Sequence, residues 1–99
     1  MKEFKIMKNT AYIINTSRGR VINEKDMIEA AQKGEISGAV LDVISNEPPT
    51  GDEEIFKCKN IFVTPHTSYL SIESFEELKR RASNNVVKIL KGEPTNDFV

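Results

Sequence analysis

The chain has 99 residues, 38% of them hydrophobic and 29% charged, which suits one small globular domain or part of a larger one rather than a disordered segment. Fourteen basic and fifteen acidic residues leave a net charge of -1 with no basic stripe, so no nucleic-acid partner is expected. Cys58 and His66 are the only residues of their types, which argues against an intrachain disulfide and against a metal site.

Residues 1–4 are polar and lack the apolar core of a leader. No stretch approaches the ~20 apolar residues of a membrane helix, so the expectation is no membrane association and a cytoplasmic location. Residues 2–8 read as the end of a helix or a lead-in, with Phe4 and Met7 on one side. Residues 11–14 are a nearly unbroken apolar run, which predicts a strand buried on both faces of a parallel sheet. Residues 15–19 then turn polar and end in Gly19, a loop at the strand's carboxyl end. Asn23 is a good helix cap, with Glu24 and Asp26 in the turn that follows. Met27, Ile28, Ala30 and Ala31 form the helix's apolar side, and Gly34 ends it.

A second apolar run covers residues 39–43, broken by Asp42. Residues 46–52 are rich in Pro, Gly and acid and read as a loop, with one helical turn over 52–56. Residues 61–63 are a third short strand, closed by Thr64 and Pro65. The last element is an amphipathic helix. Ser71 caps it, its apolar stripe is Ile72, Phe75, Leu78, Ala82, Val86, Ile89 and Leu90, and Gly92 and Pro94 end it. Early Glu73, Glu76 and Glu77 and late Lys88 and Lys91 complement its dipole.

Strands of buried type joined by helices predict an α/β fold, a parallel sheet of about three strands with flanking helices. So small a sheet has open edges, which invites self-association or signals an incomplete domain. Ligands of such sheets sit beyond the carboxyl ends of the strands. Three polar groups fall there: residues 15–19 after the first strand, Asp42 with Glu47 after the second, and residues 64–66 after the third. Each has a plain reading as well. Arg18 could be a surface charge, Asp42 a cap, Glu47 a turn residue, His66 a structural histidine, and Asn15 and Thr16 satisfiers of loop backbone.

Taken together the three groups resemble a family. Residues 14–19, Ile-Asn-Thr-Ser-Arg-Gly, are similar to the "INTARG" signature of D-isomer-specific 2-hydroxyacid dehydrogenases. Residues 38–43 followed by Glu47-Pro48 resemble the family's "GAALDVFxxEP" segment, and residues 60–66 its "NVxxTPH" segment. Twenty-nine positions separate Arg18 from Glu47, and nineteen separate Glu47 from His66, as the resemblance requires.

The resemblance implies a partial Rossmann-type fold, the C-terminal part of a nicotinamide-dinucleotide-binding domain over residues 1–99. The cofactor would be NAD, with NADP left open. The substrate would be a small 2-oxo or 2-hydroxy acid. Arg18, Glu47 and His66 would be the catalytic set. Arg18 would bind the substrate carboxylate and 2-oxygen through its paired donors. His66 would be the acid and base, and Glu47 would orient its imidazole. Thr16, Ser17, Arg18, Asp42 and His66 would face the cofactor, Asp42 at its nicotinamide end. The family's G-x-G-x-x-G phosphate loop and its substrate domain have no counterpart among these residues, since no two of the five glycines have that spacing.

The expected function is therefore that of a fragment of an NAD-dependent oxidoreductase, inactive in isolation. The alternative is a non-catalytic interaction or oligomerisation module built on the same fold. A phosphoacceptor domain with Asp42 as acceptor is disfavoured, because residues 15–18 lack the acidic Mg²⁺ ligands it needs.

Overall fold

The computed structural model describes residues 1–95 and Asp97, in two compact units that meet in sequence at Ser68 and Tyr69. In the first unit, β1 (Tyr12–Asn15), β2 (Gly38–Leu41) and β3 (Ile61–Val63) form one parallel sheet in the order β1-β2-β3. Asn15 pairs with Leu41, and Leu41 with Val63, so the three strands end level with one another. Parallel neighbours need crossover connections. α2 (Glu24–Gln32) supplies the first, and a 3-10 turn at Glu54–Lys57 lies in the second. A short α1 (Lys2–Lys5) precedes the sheet and buries Phe4.

The local chemistry of α2 follows the sequence. The Asn23 side chain accepts the Asp26 N–H at 3.1 Å, and Gly34 takes a φ of 71° just past the helix, a conformation that favours a residue without Cβ. Its inward face, Met27, Ile28, Ala30 and Ala31, packs with Phe4, Ile36, Ala39, Leu41, Ile44, Ile55 and Ile61 into one core. The second strand starts one residue earlier than expected and ends at Leu41. Asp42 and Val43 already belong to the loop, although both are buried.

The expectation of strands buried on both faces is corrected. Ile13, Ala39, Leu41, Ile61 and Val63 point to the core, whereas Tyr12, Ile14, Val40 and Phe62 are exposed, Ile14 by 71% and Phe62 by 59%. Side chains alternate along a strand, and the register aligns Ile14, Val40 and Phe62 across the sheet on the second face. The core elements of this unit pack on the first face only. An apolar run reveals that a strand suits burial on both sides, and not whether both sides are covered.

The second unit is built on α3 (Ile72–Leu90). Ser71 caps it reciprocally: its hydroxyl accepts the Ser74 N–H at 3.0 Å, and the Ser74 hydroxyl accepts the Ser71 N–H at 3.1 Å. Arg80 forms a two-point pair with Glu77, and Lys79 lies 4.4 Å from the centre of the Phe75 ring. Arg81 and Asn85 both bond Asp97. The predicted apolar stripe is present, but no residue of α3 is buried, and Ile72 is 82% exposed. Among the described residues no helix is long and apolar enough to cross a membrane.

Candidate active site at the carboxyl ends of the strands

The first loop is shaped by Asn15, the last residue of β1 and itself buried. Its amide nitrogen donates to the Arg18 carbonyl at 2.9 Å, and its amide oxygen accepts the Ser17 N–H at 3.1 Å and the Ser17 hydroxyl at 3.0 Å. An Asn side chain closes such a turn in place of backbone. Thr16, Ser17 and Arg18 are thereby held out at the surface, and an Arg18 guanidinium nitrogen donates to the Ser17 carbonyl at 2.6 Å. Gly19 then runs against the next loop. A Cβ there would lie 2.1 Å from the Ile44 carbonyl oxygen and 2.6 Å from the Ser45 nitrogen, so no side chain fits.

The second loop is pinned from three sides. The Asp42 N–H donates to the Asn15 carbonyl at 2.9 Å, and the Ser45 N–H donates to the Glu24 carboxylate at 2.9 Å. The Ile44 N–H donates to Glu47 Oε1 at 3.0 Å, while Glu47 Oε2 lies 2.7 Å from His66 Nδ1. The Ile44 N–H, and after it the His66 imidazole, hold the Glu47 carboxyl below its ordinary range. An ionised carboxylate can only accept, so the hydrogen between the two side chains sits on the ring nitrogen.

Further along, Glu53 accepts the Thr50 N–H at 2.7 Å, the Gly51 N–H at 2.8 Å and the Asn46 amide at 3.0 Å. The Thr50 N–H is the main reason its carboxyl drops from 4.5 to about 2. A lowered acid stabilises the fold above its unfolded value and loses that contribution as pH falls through the folded one. The turn over residues 50–53 is therefore expected to loosen between about pH 4.5 and 2. Amide exchange at Thr50 and Gly51 measures this, and protection unchanged across that window would contradict it.

The third loop begins with the Thr64 N–H donating to the Leu41 carbonyl at 2.8 Å, which extends the ladder one step past β3. The Thr64 hydroxyl then donates to Asp42 Oδ1 at 2.5 Å. His66 has a φ of 56°, in the left-handed region that costs an L-residue on the order of 1–2 kcal/mol. Beyond it the Thr67 N–H donates to Asp42 Oδ1 at 3.0 Å and the Ser68 N–H to Asp42 Oδ2 at 2.8 Å. Asp42 is only 5% exposed. The Thr64 hydroxyl first, and then the Ser68 side chain and backbone, hold its carboxyl far below the usual carboxylate range.

A pocket of about 600 Å³ opens between the second and third loops, lined by Asp42, Ile44, Glu47, Phe56, Val63 and His66 among others. Glu47 and His66 are thus in contact, and Asp42 grips the segment that carries His66. Arg18 leaves the same rim from β1, two strand spacings (~10 Å) from β3. It does not wall this pocket. Sequence reasoning placed Gly19 and Thr64 in the rim loops without giving either a role, and it missed Glu24 as part of the site. Glu24 carried only the signal of an acid in a helix's first turn, and its bond to Ser45, 21 residues on, is a tertiary fact.

A mostly apolar pocket edged by an imidazole and carboxylates fits the flat nicotinamide end of a dinucleotide. Among the described residues the phosphate end finds no glycine-rich turn. Gly19 and Gly38 are closed against backbone oxygens, and Asn23 occupies the start of α2.

A model of the NAD-binding domain of D-isomer-specific 2-hydroxyacid dehydrogenases matches residues 1–68. The hydroxypyruvate reductase of Blautia hydrogenotrophica is 42% identical over 90 residues, which cover 91% of this chain and 28% of that protein. A D-isomer-specific 2-hydroxyacid dehydrogenase of Xanthobacter autotrophicus, solved with NADPH and MES, superimposes with a TM-score of 0.81 at 30% identity, covering 99% of this chain and 40% of that one. The D-lactate dehydrogenase of Lactobacillus jensenii, solved with NAD+, gives 0.74 at 27% identity, covering 99% of this chain and 33% of that one. The three-stranded sheet is accordingly part of a Rossmann-like sheet, and the chain spans less than a third of the curated relative's length.

Proposed function

The chain belongs to the D-isomer-specific 2-hydroxyacid dehydrogenases, its residues 1–68 matching their NAD-binding domain, and from that premise we propose that it carries the catalytic edge of an oxidoreductase acting on a small 2-hydroxy or 2-oxo acid. The observation that carries this reading is the 2.7 Å contact between Glu47 and His66, beside an apolar pocket at the carboxyl rim of a parallel sheet. A bound nicotinamide supplies the hydride chemistry. Thr16, Ser17, Arg18, Asp42 and His66 would hold its reactive end, with NAD as the cofactor in our reading.

The remaining work falls to this chain's own side chains. Arg18 binds the substrate carboxylate and 2-oxygen with two parallel N–H donors, which suits a planar anion. His66 gives a proton to that oxygen in reduction and takes it back in oxidation. Glu47, itself fixed by the Ile44 N–H, holds Nδ1 of the ring and so orients the imidazole.

The phosphate contacts and a second, water-excluding domain are not furnished by these residues. Each tenfold loss in rate corresponds to ~1.4 kcal/mol of lost transition-state stabilisation, and several such contacts are lacking. The 99-residue chain alone is expected to show no reduction of hydroxypyruvate, glyoxylate or pyruvate by NADH. Substituted for the matching segment of the Blautia hydroxypyruvate reductase, it is expected to support turnover, with NADH and NADPH compared side by side. A well-folded but inactive chimera would count against the proposal.

A second reading is self-association without catalysis, favoured by the bare face that carries Tyr12, Ile14, Val40 and Phe62 and by the open edges of a three-stranded sheet. The solution mass of the isolated chain by light scattering decides it, a monomer at micromolar concentration being the result that ends it.

A further inference from the structure

The backbone at His66 is left-handed, and one side chain grips the chain on both sides of it. Before His66, Asp42 takes the Thr64 hydroxyl. After it, Asp42 takes the N–H groups of Thr67 and Ser68. A carboxylate has about four lone-pair positions, and the Thr64 hydroxyl, the Thr67 N–H and the side chain and N–H of Ser68 all draw on them. Asp42 itself is fixed, because its N–H is tied to the Asn15 carbonyl at the end of β1. The clamp therefore joins the sheet's own ladder to the turn that presents the imidazole.

We infer that Asp42 is a positioning residue, with the Thr64 hydroxyl as its adjustable link, and that their joint hold on residues 64–68 sets the His66 ring against Glu47. The inference rests on the reading of Glu47 and His66 as the working pair. Asp42 influences the chemistry mainly through where it puts the histidine. An Asn at position 42 would turn an N–H₂ group toward one of the N–H or O–H donors now satisfied, and a Val at position 64 would keep the shape and delete the link.

His66 is the only histidine in the chain, so its imidazole gives a single set of ring signals in a ¹⁵N-labelled sample of all 99 residues. In the unchanged protein and in T64S, which keeps a hydroxyl, the Nδ1–H is expected as a low-field, slowly exchanging signal near pH 6. In T64V and D42N its solvent exchange is expected to rise at least tenfold, while the amide signals of Met27, Leu41 and Ile55 in the core stay in place. T64V carries the test if D42N fails to fold, because residue 64 is exposed. Glu47→Gln separates the two levels of the argument. If E47Q leaves the ring signal unaltered, the pairing behind the proposed function is wrong. If E47Q removes the signal while T64V exchanges no faster than T64S, the pairing stands and the clamp is overturned.

Discussion

In the chimeric reductase, His66→Gln is expected to lower kcat about 10²–10⁴-fold while the KM for the oxo acid changes little, since a positioned acid or base contributes on that order to the transition state. Gln retains hydrogen-bonding groups but cannot exchange a proton near neutral pH. Both His66 and Glu47 are partly exposed, with side-chain exposures of 41% and 34%, so the fold does not depend on burying the ring. Equal melting temperatures for the two proteins would assign the loss to chemistry. Retention of more than about a tenth of the parental kcat would remove His66 from the role of acid and base.

The second large effect is structural. Gly19→Ala places a methyl group 2.1 Å from the Ile44 carbonyl oxygen and 2.2 Å from its carbon, which are backbone atoms with no rotamer to yield. Overpacking of this kind costs ~1–3 kcal/mol, and for a domain of this size each kcal/mol lowers Tm by about 4–8 °C. The expected outcome is a fall of roughly 10 °C in the thermal melt followed by circular dichroism. A change under about 2 °C would show that the two loops can part at little cost. The strain falls on Ile44, whose N–H fixes Glu47, so the loop bearing Arg18 and the pair Glu47–His66 are expected to loosen together.

Much of this arrangement was legible beforehand. Asn23, Gly34, Ser71 and Gly92 mark helix ends through local chemistry, and local chemistry survives in the fold. The placement of Glu47 and His66 on adjacent loops follows from parallel strands that end level, which apolar runs and connection lengths imply. Other features depend on contacts distant in sequence. Nothing around Gly19 reports that a carbonyl 25 residues later fills the space where its Cβ would stand. Asp42 reads as a cap or as a cofactor contact until Thr64, Thr67 and Ser68 are seen to converge on it. Exposure of Ile14 and Phe62 was misjudged because pattern encodes the preference of a strand and not the presence of a covering layer.

That uncovered layer governs how the chain behaves at high concentration. Tyr12, Ile14, Val40 and Phe62 make a flat, poorly wetted strip across all three strands, and water gains free energy by leaving such a surface. With a net charge of -1 there is little long-range repulsion to keep two strips apart. Sulfate and phosphate, which strengthen apolar burial, are therefore expected to push this chain toward precipitation, and the remedy lies in the polarity of the strip more than in the choice of buffer pH.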